Sequence, residues 1–216
     1  MGTPHLGDSV MKPLKGYWLD PADSPSDATP HLAFEMLGPV LIQPGRSRRC
    51  PQCGESLSLL ALYRRSPFIL LERYAALILE ICPKCSRESD GTAGANGFVV
   101  RFAGSKALAT ALRTMKRHLP LGITFRATPT GEPMAKQEFD KWKRGRLHPK
   151  LGGRQISIQS ESTKRRCSRC GGPWRFVGSI AEKWARRYLN FGFGYGYVFA
   201  CGRECAPSSA SFYWDR

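Results

Sequence analysis

The chain has 216 residues, 42% of them hydrophobic, and carries 33 Lys and Arg against 17 Asp and Glu, a net charge of +16. That is enough apolar material for one or two domains with a real core, so a disordered tail or a miniature disulfide scaffold is excluded. No stretch approaches the roughly 18 apolar residues of a membrane helix; residues 68–81 are interrupted by Glu72, Arg73 and Glu80.

Residues 1–33 read as an irregular arm, anchored by Tyr17, Trp18 and Leu19. Pro4, Pro13, Pro21, Pro25 and Pro30 break any periodic pattern. The arm has no basic start followed by an apolar run, so no signal peptide is expected.

Residues 34–90 form a first unit. It contains Cys50 and Cys53, then an apolar strand over 76–81, then Cys82 and Cys85. Residues 91–147 follow as a basic α/β insert. A strand is expected over 97–102 and a helix over 106–118, capped by Ser105 and ended by Pro120. A second strand is expected over 122–127. A second helix over 133–145 would turn Ala135, Phe139 and Trp142 inward and leave Lys141, Lys143, Arg144 and Arg146 solvated. Residues 148–216 form a second unit, with Cys167 and Cys170, a helix over 180–189, an aromatic strand over 196–200, and Cys201 and Cys205. The expected fold class is therefore α+β, with two zinc-ribbon-like β units around an insert.

The cysteines carry the chemistry. All eight fall into four close pairs, with 28 residues between the pairs of the first unit and 30 between those of the second. A close pair on a tight turn aims two thiolates at one metal, and a second pair completes a tetrahedron. The expected ligands are Cys50, Cys53, Cys82 and Cys85 for one Zn2+, and Cys167, Cys170, Cys201 and Cys205 for another. Redox pairs and disulfides are the alternatives, but a redox pair is usually single and disulfide frameworks suit short secreted chains. All-cysteine zinc sites are closed and structural. A catalytic zinc keeps a position open for water, and His5, His31, His118 and His148 lie outside the quartets.

The units also match upstream of their first pair. Val40-Leu41-Ile42-Gln43 and Ile156-Ser157-Ile158-Gln159 each lead through a polar turn to Arg-Arg-Cys, and Gly follows the second cysteine in both. This points to an internal repeat.

Leu151-Gly152-Gly153, the Cys167 to Val177 segment and the Gly194 to Cys201 segment together resemble the YwqG-like family of bacteria. They also resemble the related eukaryotic programmed cell death protein two family. The shared pattern is L-G-G-x-P, C-x-x-C-G and G-x-x-Y-V-F-x-C, covering about residues 148–214, with Gln155 in place of the family's proline. The resemblance implies a duplicated α+β fold without established catalytic residues. It also implies a protein-binding role, as an immunity protein beside a toxin or an escort for a basic protein.

Charge is uneven. Residues 1–90 hold ten basic and ten acidic side chains, whereas residues 91–216 hold 23 and seven. Two thiolate-bound zincs would lower the net charge to about +12, still basic. Such a surface attracts an acidic protein face or nucleic acid. Candidate contacts are Lys141, Lys143, Arg144 and Arg146 on the insert and Lys183, Arg186 and Arg187 in the second unit. No acid–base or nucleophile motif stands out, so an enzyme is not expected. The expected function is a zinc-stabilised immunity protein that neutralises an acidic partner such as a nuclease toxin. A nucleic-acid-binding zinc-ribbon protein is the alternative, and reduced cysteines fit the cytoplasm.

Overall fold

Apolar runs next to the cysteine pairs become strands. The computed structural model describes residues 17–21, 34–41, 48–66, 69, 71–86, 97–117, 125–129, 150–153, 166–182 and 194–215. β2 (Phe34–Leu41), β3 (Ser58–Arg64), β4 (Ala76–Ile81) and β5 (Phe98–Ala103) form a four-stranded antiparallel meander in chain order. Every residue of β4 is buried, as its near-continuous apolar run requires.

A second, six-stranded sheet uses β1 (Tyr17–Pro21), β6 (Phe125–Pro129), β7 (Lys150–Leu151), β8 (Trp174–Ala181), β9 (Tyr195–Cys201) and β10 (Ala210–Asp215). Its order is β10-β9-β8-β7-β1-β6, antiparallel throughout.

The two units repeat one plan. In β2-β3-β4-β5 and in β7-β8-β9-β10, one cysteine pair precedes the second strand and the other separates the third strand from the fourth. The second strand of each carries a bulge against the third, between Leu59 and Ala61 and between Phe176 and Gly178. An isolated bridge closes each first knuckle, Arg49 with Ser56 and Arg166 with Pro173.

The inner faces of the sheets share one core. Leu60, Tyr63, Leu77, Leu79 and Phe102 from the first sheet cluster with Leu151, Ile180, Val198, Phe212 and Trp214 from the second. Gly178 admits Tyr63: a Cβ there would stand 3.0 Å from Tyr63 Cε1. β5 lies beside β10, with Phe98 stacked on Phe212 at 4.4 Å and the Phe102 N–H donating to Pro207 O at 2.8 Å. The outer face of the first sheet is covered by α1 (Ser105–Arg117). Ala107, Leu108, Ala111 and Leu112 of that helix pack on Leu59, Leu62, Ala76, Ile78 and Ala103.

Several expectations change. The N-terminal arm contributes β1, which pairs with β6 on one side and β7 on the other, inside a sheet rather than at its margin. The first unit extends past residue 90, because β5 pairs with β4 from Ala76–Ala103 to Ile81–Phe98 and completes its sheet. Ile180 and Ala181 end β8 instead of starting a helix; cross-strand pairing with Gly196 and Tyr195 outweighs their helical spacing. Residues 183–189 and the helix expected over 133–145 lie outside the described residues. Among the described residues, no helix is long and apolar enough to cross a membrane.

Candidate metal centres

Each first knuckle is built by the same short-range bonds. The Cys50 N–H donates to Glu55 O at 2.7 Å and the Gly54 N–H to Cys50 O at 2.9 Å. The Cys167 N–H donates to Gly172 O and the Gly171 N–H to Cys167 O, both at 2.8 Å. Gly54 and Gly171 take φ of 76° and 66°, which is why glycine follows the second cysteine in both. The arginine before each first cysteine braces the turn: Arg49 Nη1 donates to Gly54 O at 3.5 Å, and Arg166 Nη1 to Gly171 O at 3.1 Å.

The second pairs hang from the fourth strand. The Cys82 N–H donates to Gly97 O at 2.6 Å, and the Cys201 N–H to Ser209 O at 2.9 Å. Both acceptors stand immediately before the last strand of their unit, so each metal loop is fixed to its own sheet. The spacings differ by one residue. The extra residue lies in the loop from Cys201 to Cys205, where Glu204 takes a φ of 44°.

These turns gather the thiols into two quartets, Cys50, Cys53, Cys82 and Cys85, and Cys167, Cys170, Cys201 and Cys205. Within each quartet all four sulfurs lie within 4.8 Å of one another. Cys50 and Cys85 are 3.9 Å apart, Cys53 and Cys82 3.5 Å, Cys167 and Cys205 3.6 Å, and Cys170 and Cys201 3.5 Å. A tetrahedron with metal–sulfur bonds of about 2.3 Å has edges of about 3.8 Å. The sulfurs therefore fit a four-coordinate ion, and all eight are free thiols rather than disulfides. At least half of each quartet is buried, with Cys53, Cys170 and Cys205 half-buried.

The thiols share protons unevenly. The Glu55 N–H, aided by neighbouring thiols, holds Cys53 below the usual thiol range, while burial pushes Cys82 and Cys85 up. Burial also works against Cys167, but the N–H groups of Arg169 and Cys170 and the thiols of Cys205 and Cys201 outweigh it and bring Cys167 down to about 7. The Gly172 N–H favours the Cys170 thiolate, yet burial and the sulfurs of Cys201, Cys205 and Cys167 push it up to about 12. Crowded sulfurs cannot all ionise alone, and a divalent cation relieves this by replacing their protons.

Two buried carboxylates support the centres. Glu80 on β4 accepts from Arg48 Nη1 at 3.3 Å and from Arg101 Nε at 3.2 Å, tying the approach to Cys50 to the sheet. Glu204, only 1% exposed, reaches into the other unit. It accepts from the N–H groups of Glu72 and Arg73 at 2.8 Å and of Tyr74 at 3.2 Å, and Arg175 Nη2 lies 3.5 Å away.

The structure thus assembles all eight sequence-predicted ligands. Lys141, Lys143, Arg144, Arg146, Lys183, Arg186 and Arg187, the expected partner contacts, lie outside the described residues, as do Gln43 and Gln159. Sequence reading missed Glu204; its signal was the extra residue between Cys201 and Cys205. Comparison with protein-family models, curated proteins and solved structures gives no match.

Proposed function

We propose that both quartets hold structural Zn2+ and that the chain is a non-catalytic binding protein. The observation that supports this is the closed, all-sulfur geometry of both centres. Soft thiolates in a tetrahedral set of four suit zinc and leave no position for water or substrate. The metal supplies folding free energy by cross-linking strand junctions.

The partner in this reading is a protein with an acidic face, met by the basic second half of the chain. The resemblance to YwqG-like proteins extends this to an immunity role against a toxin such as a nuclease, in the reducing cytoplasm. The exposed Arg166, Arg169 and Arg203 at the second centre favour a second reading, nucleic-acid binding.

Elemental analysis tests the metal: about two zincs per chain are expected. A pull-down from native lysate, with and without nuclease, tests the partner. One dominant acidic protein in both arms supports the first reading. If every partner disappears with nuclease treatment, nucleic acid takes its place.

A further inference from the structure

We propose that metal held by the second quartet controls the docking of the first unit, with Glu204 as the link. This inference rests on the metal reading above. Glu204 stands inside the ligand loop, next to Cys205, and its own N–H donates to Cys201 O at 2.9 Å. A left-handed backbone costs a non-glycine residue about 1 kcal/mol and persists only where the surroundings enforce it. A metal gripping Cys201 and Cys205 would provide that enforcement.

From this backbone the carboxylate meets three consecutive N–H groups of Glu72, Arg73 and Tyr74. Those residues belong to the turn between β3 and β4, and the Tyr74 ring stacks on Phe102 with centroids 4.7 Å apart. The Phe102 N–H in turn donates to Pro207 O, two residues beyond Cys205. The ligand loop and the residues just after it therefore hold one edge of the first unit by four backbone donors. The first centre presents no such group among the described residues: its shorter loop carries exposed Lys84. Coupling is reciprocal, so whatever the metal does for the turn, the turn does for the metal by the same factor.

The test uses the full chain loaded with cadmium, whose NMR signals resolve the two quartets during a chelator titration. Glu204→Ala should lower the affinity of the second centre by about tenfold, a typical coupling, and leave the first unchanged. Amide exchange at residues 72–74 should quicken by a similar factor. Glu204→Gln keeps one acceptor oxygen and should shift both readouts in the same direction by less, which covers the case in which the alanine variant does not fold. A general loss of stability would weaken both centres alike. If the second centre's signal fades at the same chelator concentration as in the parent, or if exchange at 72–74 stays unchanged, the link is refuted while the metal reading stands. If the parent chain takes up no metal, both fall.

Discussion

Gly178→Ala places one methyl group between its neighbouring strand β7 and Tyr63 of the facing sheet. Its Cβ would stand 2.9 Å from Leu151 Cδ2, 3.0 Å from Tyr63 Cε1 and 3.1 Å from Lys150 O. Leu151 and Tyr63 are both fully buried, and Lys150 O is backbone, so no neighbour can swing into solvent. Gly178 is not among the positive-φ glycines, so the cost is overpacking rather than backbone strain. Overpacking a dense core costs about 1–3 kcal/mol, and the reduced freedom of the unfolded chain returns about 0.4–1 kcal/mol. A net loss of about 1.5 kcal/mol lowers Tm by about 3–6 °C for a chain of this size. Calorimetry on metal-loaded protein measures this. Adding Leu151→Ala opens space on one side, so the double variant should lose less than the sum of the two single losses. A melting temperature at or above the parent's, with metal content intact, would refute the close approach of the units at this point.

Gly97→Ala should cost the first centre its metal: φ is 81°, and a Cβ would stand 2.8 Å from Ser86 N and 2.9 Å from Cys85 Cβ. Elemental analysis should then find about one zinc per chain in place of two. Gly54→Ala serves as its control, because φ is 76° but the space is open, so only a strain of about 1 kcal/mol is expected and both metals stay. Glu80→Ala strands Arg48 and Arg101, which are 50% and 22% exposed and can hydrate. It should cost about 1–3 kcal/mol in a denaturant melt. Acidification should release metal. Binding replaces thiol protons, the Cys82, Cys85 and Cys170 thiols are raised, and affinity therefore falls as pH falls. Metal retention in a chelator series from pH 8 down to pH 5 would check the sign.

The cysteine quartets were legible because ligand spacing is local: a turn of two or three residues decides where two sulfurs point. The strands β4, β5, β6 and β9 and the helix α1 were legible for the same reason, each carrying its own apolar pattern. β1 was not. Its five residues include Asp20 and Pro21, and its pairing partners Pro129 and Leu151 lie more than a hundred positions along the chain. Ile180 misled in the other direction, because the local pattern behind the helix expected over 180–189 says nothing of Gly196 across the sheet. Glu204 has the poorest local signal. A glutamate between two knuckle cysteines reads as solvated, and its acceptor role exists only once residues 131 and 132 positions away have folded against it.

The two units share strand order, knuckle bonds and bulge position, yet they use their buried carboxylates differently. Glu80 stays within the first unit, joining Arg48 ahead of its knuckle to Arg101 on β5. Glu204 is directed outward, onto the turn of its neighbour. The difference goes with the two loops: the shorter one between Cys82 and Cys85 carries Lys84 exposed to solvent, whereas the longer one between Cys201 and Cys205 carries Glu204 buried against the other unit. A duplicated pair of closed metal sites would make two units equal and independent. The added residue makes them unequal, because the second centre supports both its own sheet and the turn of the first. On the proposal that Glu204 links the second quartet to that turn, a metal there would do more than close a knuckle, and the sense of dependence between the units would follow from which loop is longer.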